Sequence, residues 1–135
     1  MPSPLEALTG TGKPLVAEAP DDAEIRGLIR SGRARLADAG NAALSLESRF
    51  DLAYNAAHAL SLAALRRLGY RARHRYIVFQ VLPHTLGLGP EVWRVLSKAH
   101  DQRNLAEYEG HVEVDARLVL DVIAACETVA ERMSQ

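Results

Sequence analysis

A chain of 135 residues, 48% hydrophobic and 24% charged, is long enough to bury one core and too short to divide into several. Its 16 Lys and Arg against 17 Asp and Glu give a formal charge of −1, which excludes a global field that gathers nucleic acid or an anionic membrane; such attraction has to come from a local patch. A single cysteine, Cys126, excludes an internal disulfide and a thiolate zinc site and fits a reducing compartment. No apolar run reaches the roughly 18 residues of a membrane span, and the first 20 residues lack the basic start and apolar stretch of a signal peptide, so a cytoplasmic protein that does not insert in membranes is expected.

Residues 1–20 carry Pro2, Pro4, Pro14 and Pro20 with no apolar period, and ordering them costs entropy that little burial offsets, so they read as a flexible leader before a single helical domain over 21–135. From Asp21 the pattern turns helical: Asp21 as N-cap with Glu24 three residues on, Ile25, Leu28, Ile29, Gly32 and Leu36 on one face, and Gly40 at the end. A second helix starts at Ser45 and runs to Gly69. Its stripe of Phe50, Tyr54, Ala57, Ser61, Ala64 and Leu68, widened by Ala53, Leu60 and Ala63, suits the middle of a bundle.

A third helix is predicted over about 72–86, with Tyr76, Ile77, Phe79 and Val81 inward and Pro83 bending or ending it; "YIVFQV" also suits a strand, but no pairing partner is evident. After "GLGP", Pro90 fits the first position of a fourth helix, and a fifth spans about 114–133 with Leu118, Val122, Ala125, Cys126, Val129 and Met133 inward. The fold class is all-α, a four- to five-helix up-and-down bundle.

Two stretches carry chemistry. In the fourth helix Val92, Val95, Leu96, Ala99 and Ala106 define the buried stripe, and Arg103 falls inside or beside it, with His100, Asn104, Glu107, Tyr108 and His111 on the flanking arc. A guanidinium held against a core costs several kcal/mol unless it is paired, so it calls for a carboxylate, backbone carbonyls, a partner subunit or an anionic ligand, or for Glu107 one turn on. The other stretch, "RRLGYRARHRY", sets Arg66, Arg67, Arg71, Arg73 and Arg75 around His74, interleaved with Tyr70 and Tyr76. Phosphate binding with base stacking is one reading, and a soluble, dipole-complementing helix end is the other. The two stretches cooperate at one end of the bundle if the second and fourth helices run the same way.

On "LAYNAAHALSLAALRRLGY", on His74 after the arginine-rich turn, and on "AHDQRNLAEY" before a helix opened by "VEVDA", the chain resembles the HEPN domains over about residues 46–130. These are small bacterial and archaeal helical bundles, often dimeric. The resemblance implies a HEPN-like bundle, a homodimer, and a cleft of Arg103, Asn104 and Tyr108 that binds RNA or a nucleotide, or pairs with a nucleotidyltransferase or an antitoxin. Family members with ribonuclease activity set an arginine and a polar residue four to six positions before a histidine. Arg103 and Asn104 match the first half, but Tyr108 stands in that window and His111 lies beyond it. A metal-independent endoribonuclease then needs His111 or His100 as the proton carrier beside Arg103, since a tyrosine with a pKa near 10 is a poor base at neutral pH.

The remaining residues read as scaffold. His58 with Tyr54 and Ser61 forms a buried hydrogen-bonding network, His84 belongs to a loop, and Cys126 is a small core hydrophobe. No histidine pair or carboxylate cluster suggests a metal, and no glycine-rich loop suggests a cofactor. Three readings stand: a HEPN-like RNA- or nucleotide-binding module, a metal-independent endoribonuclease toxin, and a helical protein–protein adaptor.

Overall fold

The computed structural model describes residues 3–110 and 114–134. Among them four long helices, α2 (Asp22–Ala39), α3 (Leu46–Arg67), α6 (Pro90–Glu109) and α7 (Ala116–Met133), form the body of an all-α protein. Three one-turn helices, α1 (Pro4–Ala7), α4 (Ile77–Gln80) and α5 (Leu82–Thr85), and one antiparallel pair of strands, β1 (Leu15–Ala17) and β2 (Tyr70–Ala72), complete it.

Local chemistry sets the helix ends. Asp21, Ser45 and Asp115 each accept the backbone N–H three residues on, at 3.1, 3.1 and 2.7 Å, satisfying a donor that the helix itself leaves open. Pro90 starts α6 at the position where a missing N–H costs nothing, and Gly110 ends it at φ +78°, a left-handed conformation that favours glycine.

Contacts between helix ends give the directions. Glu24 at the start of α2 meets Arg66 at the end of α3, and the Arg67 guanidinium reaches the Met133 carbonyl at the end of α7. Tyr54, early in α3, meets His100, late in α6. The long helices therefore alternate up and down. Helix α3 is the central one: Ala53, Tyr54, Ala56, Ala57, Leu60, Ala63 and Ala64 are buried, and its alanines let neighbours approach closely. On the facing side Gly32 of α2 is required, because a Cβ there lies 2.7 Å from Leu60 Cγ.

Two expectations are corrected. Residues 3–20 pack against the domain rather than trailing from it: Leu5 and Leu15 are buried, and β1 pairs with β2 in the register Leu15–Ala72, Val16–Arg71 and Ala17–Tyr70. The predicted third helix is also different. Only its first residue, Ala72, lies in the strand β2, residues 73–76 form a turn, and the remainder splits into α4 and α5, because Pro83 has no N–H for the carbonyl one turn earlier.

Charge also holds the N-terminal segment. Arg66 is 1% exposed and donates from Nε to Glu24 at 2.6 Å, from Nη2 to the Ala19 carbonyl at 2.8 Å, and from Nη1 to the carbonyls of Glu18 at 2.9 Å and Tyr70 at 3.3 Å. Arg71 donates to Glu18 and to the second oxygen of Glu24 at 2.8 and 2.7 Å. One buried guanidinium thus ties α2, α3, β2 and the segment before Asp21 together.

Replacing Arg66 by Met leaves those carbonyls without a donor and should lower urea-unfolding stability by about 3 kcal/mol. The hydrogen bond from Arg66 holds the Glu24 carboxyl below its ordinary 4.5, and that from Arg71 does the same for Glu18. A carboxylate depressed in the folded state stabilises above its unfolded pKa and stops doing so as pH falls through the folded value. Stability should therefore drop below about pH 4.5, and Glu24→Gln should make unfolding curves less sensitive to pH in that range.

Candidate functional site

The polar groups converge on one buried ring. Tyr54 is fully buried in α3, and its ring receives two guanidiniums: Arg103 from α6 at 5.2 Å from the centroid, and Arg75 from the turn after β2 at 5.4 Å. Cation–π attraction favours each contact, but two like charges beside one ring repel each other. Arg103 is offset by Glu107, one turn on, at 3.1 Å. Arg75 donates to the neutral Asn55 side chain at 3.1 Å, its buried Nε has no partner, and no carboxylate among the described residues pairs with it.

The tyrosine hydroxyl meets His100 Nδ1 at 2.9 Å, and His100 Nε2 meets the Asn104 amide at 3.0 Å. The imidazole is thereby held by both nitrogens, with the Tyr76 ring 5.1 Å away. Burial raises the pKa of Tyr54, so it keeps its proton. Burial lowers the His100 pKa, an effect that Asp101 opposes and Arg103 and Arg75 reinforce. His58, edge-on to Phe79, is pushed down to about 4 by burial first and by Arg75 and Arg103 next. Two neutral histidines beside two permanent cations mark a local positive field in a chain of nearly balanced charge.

Next to this cluster lies a cavity of about 190 Å³ between α3 and the turn, lined by His58, Leu62 and residues 71–75. An open groove of about 440 Å³ shares Arg73 and His74 with it and extends to Lys13 and Gln80. A further groove of about 420 Å³ between α6 and α7 has Arg94, Lys98 and Arg117 set against Asp115 and Asp121, with no histidine in its lining. The chemistry favours the first two.

Of the residues expected to form a site, Arg103, Asn104, His100 and Glu107 come together, and Arg75 joins them. Tyr108 does not: it is 93% exposed, and the tyrosine beside Arg103 is the buried Tyr54. His111 lies outside the described residues. Arg71 is taken up by Glu18 and Glu24 at the far end of α3, because α3 and α6 run in opposite directions. Arg73 and His74 are exposed on the turn leading back to Arg75. The expected network of His58, Tyr54 and Ser61 is not formed either, since Tyr54 bonds His100 and the buried Ser61 hydroxyl has no partner. Tyr54 and Asn55 were missed as site residues. The available signal was that a tyrosine on a core stripe must find a polar partner for its hydroxyl.

Among the described residues no group of three or more His, Cys, Asp or Glu could hold a metal, and no helix is long and apolar enough to cross a membrane. Cys126 is buried in α7, its thiol pushed up to about 12 by burial.

Tyr54→Phe removes the hydroxyl that holds His100 and should cost about 1 kcal/mol in chemical denaturation. Because His58 is held near 4 against an ordinary 6.5, the unfolded chain takes up a proton that the folded one refuses. Stability should therefore fall as pH drops from 6.5 toward 4, by roughly 1.4 kcal/mol per pH unit at most, and His58→Gln should remove that slope.

No family model matches the chain, and comparison with curated proteins and with solved structures gave no match.

Proposed function

We propose that the chain is a HEPN-like module that binds RNA or a nucleotide through its phosphate, at the basic cleft around Tyr54. The observation that carries this reading is the pairing there: two guanidiniums against one ring, of which Glu107 pairs with Arg103 alone, and a buried Nε–H of Arg75 left without an acceptor. A phosphate supplies the missing acceptors and the missing negative charge together, and guanidiniums bind it in the two-pronged geometry that suits them. The HEPN reading uses the alternating helix bundle, Arg103 over the buried Tyr54 ring, and the exposed Asn104 that bonds His100 beside it. That resemblance is also the ground for proposing a homodimer and a nucleotidyltransferase or antitoxin as partner.

Metal-independent RNA cleavage is the second reading, and His100 favours it. A neutral imidazole beside two guanidiniums suits a base that takes the 2′-hydroxyl proton while the arginines stabilise charge on phosphorus. For that role His100 has to release Tyr54 or Asn104, so binding without efficient cleavage remains the primary proposal.

Fluorescence titration with a short single-stranded RNA and with a nucleotide triphosphate, in EDTA, tests both readings. Arg75→Gln and Arg103→Gln should each weaken binding about 10-fold or more, with the RNA left intact. Unchanged affinity in the double variant contradicts the proposed cleft, and cleavage that disappears in His100→Gln moves the assignment to the ribonuclease.

A further inference from the structure

The N-terminal segment and the cleft are joined by the same short piece of chain. Backbone hydrogen bonds run from Glu18 N–H to the Gly69 carbonyl at 3.0 Å and from Arg73 N–H to the Pro14 carbonyl at 2.9 Å, bracketing the β1–β2 pairing. The Arg73 rung is the last one. Two residues later the chain delivers Arg75 to Tyr54 and Asn55, with no regular element between. At the other end of the strap, Arg66 and Arg71 clasp Glu18 and Glu24. The turn that carries Arg75 is therefore anchored on one side by β1 and on the other by α4.

We infer that residues 14–18 are a positioning strap for the anion site: docked on β2, they fix the arm that presents Arg75 to Tyr54, so strap docking and anion binding strengthen one another. The inference rests on the cleft reading above, and linkage makes it reciprocal: whatever anion the arm holds in place must stabilise the strap by the same factor. Undocking lets the turn swing away from His58, opening the small cavity beneath it, and costs the site one of its two guanidiniums. Of the strap only Pro14 lines the neighbouring groove, and residues 15–18 line neither of the two favoured cavities. They act through the geometry of Arg75, which makes them positioning residues.

Proline substitutions separate docking from composition. The ladder bonds at 14–73 and 18–69 make Val16–Arg71 the hydrogen-bonded pair between them, while Leu15 points its N–H the other way, to the Leu8 carbonyl. Val16→Pro thus removes a rung, whereas Ala17→Pro, whose N–H faces away from β2, keeps the ladder. The full-length chain is studied by NMR with inorganic pyrophosphate as the probe. In the unaltered chain, pyrophosphate should slow amide exchange at Glu18 and Arg73, and Arg75→Gln should abolish that slowing.

Val16→Pro should weaken pyrophosphate binding about 5- to 10-fold, with Ala17→Pro near the unaltered chain. A readout without ligand accompanies this: the His58 pKa should rise from about 4 toward 6.5 in Val16→Pro, as its burial and its contact with Arg75 are relieved, and stay low in Ala17→Pro. If Val16→Pro frees the Glu18 amide while His58 stays near 4 and pyrophosphate affinity is unchanged, the strap inference is overturned and the cleft stands. If pyrophosphate fails to bind the unaltered chain, the cleft reading falls, and with it the reciprocal linkage; a His58 pKa unmoved by Val16→Pro then also overturns the positioning role.

Discussion

A phenol ring buried at the centre of the bundle organises the polar face of this protein. Tyr54 sits on the buried stripe of α3, against which the other long helices pack, yet its hydroxyl requires a partner and its ring attracts cations. His100 answers the first requirement and Arg75 and Arg103 the second. Because the ring is fixed by packing, groups from three separate parts of the chain are held at one place. The excess of positive charge is a consequence of that convergence, since a chain of charge −1 has no such excess overall.

The arginine-rich run after α3 shows how environment divides one residue type into two roles. Arg66 is buried among carbonyls and a carboxylate, and Arg71 is shared by two carboxylates; both are satisfied, and both serve the fold. Arg75, four residues beyond Arg71, has only a neutral amide and an aromatic face. What separates them is the reversal of the chain through Gly69 and β2. It places Arg66 and Arg71 at the end where α2 begins, and carries Arg75 back along α3 to the level of Asn55.

Most of the helical frame was legible in the sequence because its signals are local. Asp21 with Glu24, Gly40, Ser45 and Pro90 mark ends by their own hydrogen-bonding or backbone chemistry, and the stripe from Leu118 to Met133 is buried throughout. The strand pair was not legible: three-residue strands owe their existence to pairing between segments more than 50 positions apart, which no periodicity reports. The same holds for the leader, where Leu5 and Leu15 are too few to form a pattern, and Leu15 lies on the strand that pairs with β2.

At the site, the inward turn of Arg103 followed from its distance to Val92, Leu96 and Ala99, while Tyr108 failed by that same geometry. Five residues of helix rotate about 140° beyond a full turn, so a tyrosine there faces away from the arginine. Identifying Tyr54 instead required knowing which helices are neighbours. That the cleft is built to hold a phosphate can be tested most directly at the guanidiniums themselves, by following the side-chain Nε–H signals of Arg75 and Arg103 while pyrophosphate is added. A phosphate cleft around Tyr54 requires both signals to shift together and saturate with one affinity. Signals that remain in place while other surface arginines respond would contradict it.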